Sequence, residues 1–376
     1  MVMETPVIAS PFPISNIGIT QSSFRNSLVY GSTSKGSSLD VGGGAGFTVK
    51  EALYSSVGEY LERLTQRKPS HKIHEEFLSA YNINLETVEK IPLGNVLLFD
   101  PRIFNPNADS DWNDSTGTAF HTNTLDLIES SFFEFIERQS LVFNWLTKTP
   151  GKKIKLKNFY ERKRIKQMSL SLSAYFDTLD LFEISIHPSC YVVICIGTGE
   201  FCKSVGMGVG WNISDAIYGS LKENLQCVSH MVPSHQSDIN PEALKVFESF
   251  EEPESDMYYE KYFESLSPKQ LSIEYSYLFK PGLELIELTE NRRRPSYDEY
   301  LSILKNISED LSIELLICFI PSLIENLPGS VIRLIGKGAF PHIKTDELNP
   351  FLYSINGINK LSTIEVPNIG KMVPFN

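Results

Sequence analysis

The sequence has few cysteines and no long apolar run, which argues against a disulfide-rich secreted protein and against a membrane-spanning protein. Its five cysteines are an odd number without a CxxC pair, so they indicate no disulfide framework and favour a reducing compartment. The longest apolar stretch, Leu311 to Ile324, contains Glu314 and Pro321 and is shorter than the ~20 residues that a membrane-spanning helix needs. The N-terminus lacks the basic and apolar regions of a secretory signal. The sequence therefore predicts a cytoplasmic protein that does not act at a membrane.

Positive charge is also scarce. The 376 residues include 34 basic and 46 acidic side chains, which gives a net charge of −12 and argues against a nucleic-acid binder, since such proteins neutralise phosphates with Lys and Arg. No GxxxxGK[ST] sequence and no protein-kinase HRD or DFG set occurs, which excludes a P-loop NTPase and a protein kinase. With 41% hydrophobic and only 21% charged residues, the chain is a folded globular protein.

Three segments have the periodicity of helices. The first begins after Thr48, which has Glu51 at capping-box spacing, and runs to about residue 65. The second spans about 124–146, and the third follows Ser214 and ends near residue 230. Strands are predicted between them, giving a mixed α/β (α+β) fold.

Glycine-rich segments precede two of these helices. Residues 1–47 predict an irregular arm, whose Gly42 to Gly46 run could cradle a phosphate or serve as a flexible hinge. A buried strand is predicted from Ile184 to Ile196, and alternating glycines then follow at 206, 208 and 210. The glycine face of that strand could be approached by a ligand or by a neighbouring chain.

Two of the helices repeat the pattern SxxxExxER. It comprises Ser55, Glu59, Glu62 and Arg63 in the first helix, and Ser130, Glu134, Glu137 and Arg138 in the second. Positions i, i+4 and i+7 lie on one helical face. The third helix has Glu223 and Gln226 at the last two offsets, and Asp126 extends the second stripe by one turn towards the N-terminus. We call these acidic faces the carboxylate stripes.

The carboxylate stripes predict a cation site between helices. The second helix is apolar over most of its circumference, and a buried carboxylate must be neutralised. Two glutamates ~6 Å apart repel by about 3 kcal/mol at an effective dielectric of 20, so a magnesium ion that also carries phosphate is the natural partner. A solvated acidic face with local ion pairs is the simpler alternative for one copy of the pattern, but less so for two. Paired redox metals are disfavoured because no Glu-x-x-His follows.

At these helices the sequence resembles the YcaO family, whose ATP site carries SxxxExxER, a second ExxER helix and a Glu/Gln motif. The matching segments are VKEALYSSVGEYLERL, LIESSFFEFIERQSLVFNWL and SDAIYGSLKENLQC. Within the family, GEYLER, ERQSLVFNWL and the terminal KMVPFN are most similar to cyclodehydratase subunits of microcin-type azole synthetases. The resemblance implies a YcaO-type domain over 48–376 after an N-terminal arm, with helices packed on mixed sheets and a nucleotide site between helices.

The resemblance also implies a chemistry. Such enzymes use ATP and Mg²⁺ to phosphorylate a backbone amide oxygen of a precursor peptide after a neighbouring Cys, Ser or Thr side chain has attacked the amide, which yields a thiazoline or oxazoline. The implied magnesium and phosphate ligands are Glu59, Glu62, Glu134, Glu137 and Glu223. The implied outer or nucleotide contacts are Ser55, Arg63, Asp126, Ser130, Arg138 and Gln226. The implied partners are the precursor with its N-terminal leader, an E1-like leader-binding scaffold and an FMN-dependent azoline dehydrogenase.

The C-terminal tail, residues 366–376, departs from the family pattern. Azoline-forming members end in a Pro-rich tail that reaches the active site, which makes Pro374, Phe375 and Asn376 the catalytic candidates, but here the last residue is Asn. Ala45 stands near the place of a lysine that is common in the family. Thioamide or amidine formation, or a catalytically idle scaffold, therefore remain alternatives, and plain C-terminal disorder is the simpler interpretation of the tail.

One charge run stands outside these motifs. Residues 151–166 hold eight Lys or Arg against one Glu. A solvated face is the simpler interpretation, and a surface for an acidic peptide partner is the alternative.

Overall fold

The structure is a computed structural model that describes residues 2–6, 14–24, 27–36, 41–67, 77–98, 114–236, 258–279, 293–322, 324 and 327–375. Its strands are β1 (Val2–Pro6), β2 (Ile14–Phe24), β3 (Ser27–Gly36), β4 (Val41–Gly46), β5 (Phe77–Asn82), β6 (Thr87–Pro92), β7 (Thr118–His121), β8 (Lys152–Ile154), β9 (Thr178–Glu183), β10 (Tyr191–Thr198), β11 (Lys203–Gly210), β12 (Glu314–Ile320) and β13 (Ser330–Lys337). Its α-helices are α1 (Val49–Arg67), α2 (Thr124–Thr147), α3 (Lys163–Leu172), α4 (Ile213–Gln236), α5 (Tyr258–Ser265), α6 (Pro268–Glu274) and α7 (Tyr297–Leu311).

The strands form three sheets. The N-terminal sheet has the order β1-β2-β3-β4, the middle sheet β11-β10-β9-β8 and the five-stranded sheet β6-β5-β12-β13-β7. All pairings between the described strands are antiparallel. The predicted mixed α/β class is confirmed, and the carboxylate-stripe helices are distributed over the sheets: α1 lies on the N-terminal sheet, α4 on the middle sheet and α2 on the five-stranded sheet.

The prediction of an irregular N-terminal arm is wrong for the described part of residues 1–47, which forms β1 to β4. Neither the loop nor the hinge predicted for the glycine run is seen, because Gly42 to Gly46 is β4 itself. The serine- and glycine-rich strands β3 and β4 lack the hydrophobic alternation on which strand recognition depends, so the sequence pattern does not reveal them. The strand predicted from Ile184 to Ile196 begins instead at Tyr191.

The glycines of β4 and β11 serve to bring a helix close to a strand. A Cβ atom on Gly44 would lie 2.2 Å from the carbonyl oxygen of Ala52 in α1. A Cβ atom on Gly208 would lie 2.3 Å from both the Ala216 oxygen and the Ser220 nitrogen in α4. The predicted close approach to the β11 glycines therefore occurs, but the group that approaches them is helix α4 of the same chain, not a ligand or a neighbouring chain.

Capping hydrogen bonds stabilise the start of α1, and core packing stabilises α2. Glu51 donates its backbone N–H to Thr48 Oγ1 (3.1 Å), as the capping-box spacing predicts, while its carboxylate accepts from the N–H of Phe47 (2.9 Å). The centre of α2 is the core of the molecule, with Phe132, Phe135 and Trp145 almost fully buried. No helix within the described ranges is long and apolar enough to span a lipid bilayer.

Replacing Gly208 with Ala should destabilise the protein by about 3 kcal/mol or more, because the new methyl group meets backbone atoms that cannot turn away. The matched control is Gly58→Ala in α1, where the added Cβ meets only the Phe120 ring at 3.6 Å, an ordinary contact, and where Ala favours the helix. Chemical denaturation measures both variants. Equal unfolding midpoints for the two would contradict this account of the β11–α4 contact.

Candidate functional site

Helices α1, α2 and α4 meet around one open cavity of about 780 Å³. Predicted site residues from all three helices line it: Ser55, Glu59, Glu62, Arg63, Ser130, Glu134, Glu137, Arg138, Glu223 and Gln226. The structure thus brings together carboxylates that lie far apart in the sequence. A solvated acidic face on each separate helix is not what is seen.

Asp126 is the exception among the predicted nucleotide contacts. It does not line the cavity; its carboxylate pairs with Arg294 and lies 3.7 Å from Nδ1 of His121. Arg294 also bonds Glu129 at 2.7 Å, so the N-terminal turns of α2 are tied to the segment before α7. On α2, the stripe residues from Ser130 onwards face the cavity, whereas Asp126, one turn towards the N-terminus, forms an ion pair outside it.

Two of the carboxylates are oriented in the same way by the glycine strands. Oε2 of Glu59 accepts the backbone N–H of Gly43 in β4 at 2.7 Å. Glu223 accepts the backbone N–H of Met207 in β11. Each strand therefore packs against its helix and also directs one glutamate towards the cavity.

This likeness reflects an internal repeat. Gly42, Gly44, Gly46, Ala52, Tyr54, Ser56, Glu59 and Leu61 recur in the same order and at one constant separation as Gly206, Gly208, Gly210, Ala216, Tyr218, Ser220, Glu223 and Leu225. The contacts recur as well, since a Cβ on Gly42 would meet the Ser56 oxygen and one on Gly206 the Ser220 oxygen. Opposite walls of the cavity are thus built by two copies of one strand–helix unit, and α2 closes the space between them.

Four carboxylates of the cavity have raised pKa values. Burial, reinforced by the charge of Glu59, raises the pKa of Glu62 to about 8. Burial likewise raises the pKa of Glu134 and of Glu137 well above the ordinary range, with further repulsion from Glu62 on the first and from Glu223 on the second. Burial also raises the pKa of Glu223 to about 7, against the lowering effects of Arg138 and the Met207 N–H. The site carries more negative charge than its own cations balance.

Several cations at the site follow no motif. Lys222 lines the cavity beside Glu223, and burial lowers its pKa, whereas Glu51, Glu59 and Glu223 favour its charged form. Arg164 reaches the cavity from α3 and lies 3.4 Å from Glu51. The stripe offsets already mark the neighbouring Glu223 and Gln226, and the internal repeat aligns the same segment with the first stripe, but neither signal singles out Lys222 itself.

The predicted arginines have structural partners. Arg63 pairs with Glu59 at 2.7 Å and donates to the Val41 carbonyl oxygen at 2.9 Å. The Arg138 guanidinium lies over the Phe375 ring, 4.5 Å from its centroid. Arg63 therefore binds the strand edge next to the site, and Arg138 connects α2 with the C-terminal tail.

This donor set fits a magnesium–nucleotide ligand. Among the described residues no three acidic, histidine or cysteine side chains form a ready-made metal centre; the carboxylates are spread over the cavity wall instead. Magnesium takes one or two carboxylates together with phosphate oxygens, and the raised pKa values show the charge that such a cation would neutralise. The cavity contains carboxylates that could bind the metal, and it also contains Arg and Lys side chains that could bind phosphate.

The C-terminal tail is ordered up to residue 375. Phe375 is fully buried against Arg138, and the Tyr275 hydroxyl donates to the Pro374 carbonyl oxygen at 2.9 Å. The Trp145 indole N–H donates to the Lys371 oxygen at 3.1 Å. Plain disorder is therefore not what is seen for Pro374 and Phe375, whereas Asn376 lies outside the described residues.

A protein-family model matches the part of the chain that contains α2 and α4. The family described as YcaO cyclodehydratase, ATP- and Mg²⁺-binding, matches residues 91–318, which is more than half of the chain and includes all of α2 and α4. No curated protein matches the chain.

Solved structures share the fold. YcaO from Methanopyrus kandleri bound with AMPPCP and Mg²⁺ superposes with a TM-score of 0.63 at 15% identity over 85% of each chain. A chain of the E. coli microcin synthetase McbBCD complex gives 0.69 at 19% identity over 100% of both chains. A heterocyclase in complex with substrate and cofactor gives 0.70 at 13% identity over 95% of this chain and 55% of that one. The chain belongs to the YcaO cyclodehydratase family, whose members bind ATP and Mg²⁺.

Proposed function

We propose that this chain is the cyclodehydratase of an azole synthetase. It converts Cys, Ser or Thr residues of a ribosomal precursor peptide into thiazolines or oxazolines by phosphorylating the backbone amide oxygen, in the course of making a microcin-like peptide. The observation that carries the proposal is the convergence of Glu59, Glu62, Glu134, Glu137 and Glu223 on one cavity that also has cationic walls. When bound, ATP with Mg²⁺ supplies the phosphoryl group that turns the amide oxygen into a leaving group.

The chain's own residues position the reactants. The five glutamates would supply the carboxylates for magnesium, and the backbone N–H groups of Gly43 and Met207 hold two of them in place by hydrogen bonds. Arg138, Arg63 and Lys222 surround the phosphate region with positive charge. Ser55, Ser130 and Gln226 provide neutral polar contacts in the same cavity.

The tail contributes by holding Arg138. Phe375 stacks under the guanidinium, and the Pro374 carbonyl oxygen accepts the Tyr275 hydroxyl, so Phe375 contacts a side chain that lines the cavity. We include Asn376 in this proposal as the residue that follows them. The family resemblance at KMVPFN supports a role of this tail in ring formation.

Replacing Phe375 with Leu should weaken binding of a non-hydrolysable ATP analogue with Mg²⁺ about tenfold. Leucine fills most of the same volume but has no aromatic face for Arg138, a contact worth ~1–2 kcal/mol when desolvated. The melting temperature should change by only a few degrees, in contrast to Phe375→Ala, which opens a cavity and costs ~3–5 kcal/mol. Calorimetric titration and thermal melts measure the two effects. Wild-type affinity in the Leu variant would show that Phe375 has only a packing role.

The partners are proposed on the same grounds. The E. coli relative is part of the McbBCD complex, which is also solved with pro-MccB17 bound. We infer that this chain acts with a precursor peptide, an E1-like scaffold that binds the leader and an FMN-dependent dehydrogenase that oxidises azolines to azoles.

Mass spectrometry of the product tests the function. The chain, its scaffold, the precursor, ATP and Mg²⁺ are combined, and the proposal expects a loss of about 18 Da per ring formed, the mass of one water. A gain in mass from sulfur replacing oxygen would instead establish thioamide formation. Fragmentation spectra that show an amine of the peptide linked to a former amide carbon would establish amidine formation. An unchanged precursor in the complete mixture would contradict the proposal.

An idle scaffold is the second candidate function. Ala45, near the place of a common family lysine, is buried in the same apolar cluster as Ala216 and Leu221 of α4, and it adds no charge to the cavity that it lines. Absence of magnesium-dependent nucleotide binding, in both the chain and the complex, would favour this candidate.

A further inference from the structure

One strongly basic surface of this acidic protein has no part in the proposed reaction. It comprises the eight Lys and Arg side chains from Lys152 to Lys166, on β8, the turn Leu156–Phe159, the first half of α3 and the residues that join these elements. All are exposed except Lys153, which is half-buried. The rest of the chain is therefore more negative than the total of −12 suggests. We call these eight side chains the basic surface.

The outer part of the basic surface is not neutralised by the fold. Lys152 pairs with Glu183, Lys153 with Asp180 and Arg164 with Glu51. Within the described parts of the chain, no ion pair is seen for Lys157, Arg162, Lys163 and Lys166. We call these four side chains the outer cations. The first turn of α3 also contains no acidic residue, although acids, not bases, suit a helix N-terminus. The charge placement thus does not serve the stability of α3.

The basic surface leads into the candidate site. Helix α3 packs against α4 and β3, and Arg164 lines the cavity, with its guanidinium 5.8 Å from the centroid of the Tyr218 ring. Arg164 therefore belongs both to the basic surface and to the mouth of the cavity. A ligand bound along α3 would enter the cavity at the Arg164 side.

We propose that the basic surface binds an acidic segment of the peptide substrate and guides the adjoining segment into the cavity. This inference rests on the proposed function, since it names a feature of the same substrate. A peptide fits better than a nucleotide because the surface extends over three consecutive elements, whereas Arg164 is its only member that lines the cavity. The remaining surface is negatively charged and therefore repels an acidic peptide, which disfavours binding elsewhere on the protein.

Fluorescence anisotropy with a defined probe tests the proposal. The probe is a short labelled peptide of repeated Glu-Gly-Glu-Ser units, and its twin carries Gln in place of Glu. The full chain should bind the acidic probe at least about tenfold more tightly than the twin at low salt, and less tightly as salt is raised. Changing the four outer cations together to Gln should weaken probe binding about tenfold or more while leaving the affinity for a magnesium-bound ATP analogue unchanged.

A matched variant controls for net charge. Lys90, Lys261, Lys269 and Lys360 are exposed and lie outside the basic surface, so changing them to Gln removes the same charge and should weaken probe binding less than twofold. Equal weakening in both quadruple variants, no preference for the acidic probe, or a parallel loss of nucleotide affinity would overturn the proposal. Tighter binding of single-stranded RNA than of the probe, lost with the same four cations, would overturn it as well.

The inference and the proposed function can fail separately. Glu59→Gln should abolish nucleotide binding and keep full probe binding, because Glu59 lies in the cavity and not on α3. Loss of ring formation in the complete mixture with probe binding intact would reject only the function. Intact ring formation of an acidic precursor by the outer-cation variant, with an unchanged KM for that precursor, would reject only the docking surface.

Discussion

Glu59→Gln and Glu137→Gln should each reduce ATP-dependent ring formation by at least about a thousandfold. Glutamine keeps the shape and hydrogen-bonding atoms of the side chain but removes the charge that binds a divalent cation. Glu59 comes from the first copy of the internal repeat and Glu137 from α2, so the two variants test two different helices of the cavity. Product mass spectra with time give the rates.

Glu129→Gln is the matched control for these two variants. Glu129 lies on α2 as Glu137 does, but it bonds Arg294 at 2.7 Å and the Trp211 indole N–H at 3.1 Å, outside the cavity. Its substitution should leave the rate within about threefold of wild type. Activity that survives in both cavity variants would contradict the assignment of the site.

The ligand-free protein should lose stability as the pH rises from about 5 to about 9. The pKa values of Glu62 and Glu223 are about 8 and about 7 in the folded state, above the ~4.3 of an unfolded chain, so the folded state binds these protons more tightly. Their stabilisation is complete below pH ~4 and disappears as the pH rises through 7 and 8. At ~1.4 kcal/mol per pKa unit, these two groups lose at most about 7 kcal/mol between pH 5 and pH 9, or up to about 10 °C in melting temperature.

Two comparisons isolate the carboxylates in this pH series. A magnesium-bound ATP analogue should flatten the dependence, because the cation removes the repulsion that raises the pKa values. Glu62→Gln should flatten it in part without any ligand, since glutamine does not titrate. A melting temperature that is constant or rises over this range in the ligand-free wild type would contradict the electrostatic description of the cavity.

The carboxylate stripes could be read from the sequence because helical spacing and side-chain charge are local properties. Ser55, Glu59 and Glu62 share a face whatever the rest of the fold, and the apolar surroundings of Glu134 and Glu137 already indicated that α2 is buried. The same argument does not extend to Asp126, because its partner Arg294 is far along the chain and the pairing depends on tertiary structure.

Other parts of the site had no local signal. Lys222 and Arg164 belong to the cavity only because α4 packs on β11 and α3 packs on α4. Strands β3 and β4 have no local signal because half or more of their residues are Ser or Gly. The glycines were noticed, but their purpose, the close packing of β4 on α1, becomes clear only when Ala52 and Ser56 are seen above them.

Calorimetric titration of the chain with a non-hydrolysable ATP analogue, with and without Mg²⁺, measures whether the carboxylates of the cavity form a magnesium–nucleotide site. Binding should require Mg²⁺, should be retained in Glu129→Gln and should be lost in Glu59→Gln and Glu137→Gln. Binding without any dependence on Mg²⁺, or of equal strength in all four proteins, would contradict such a site.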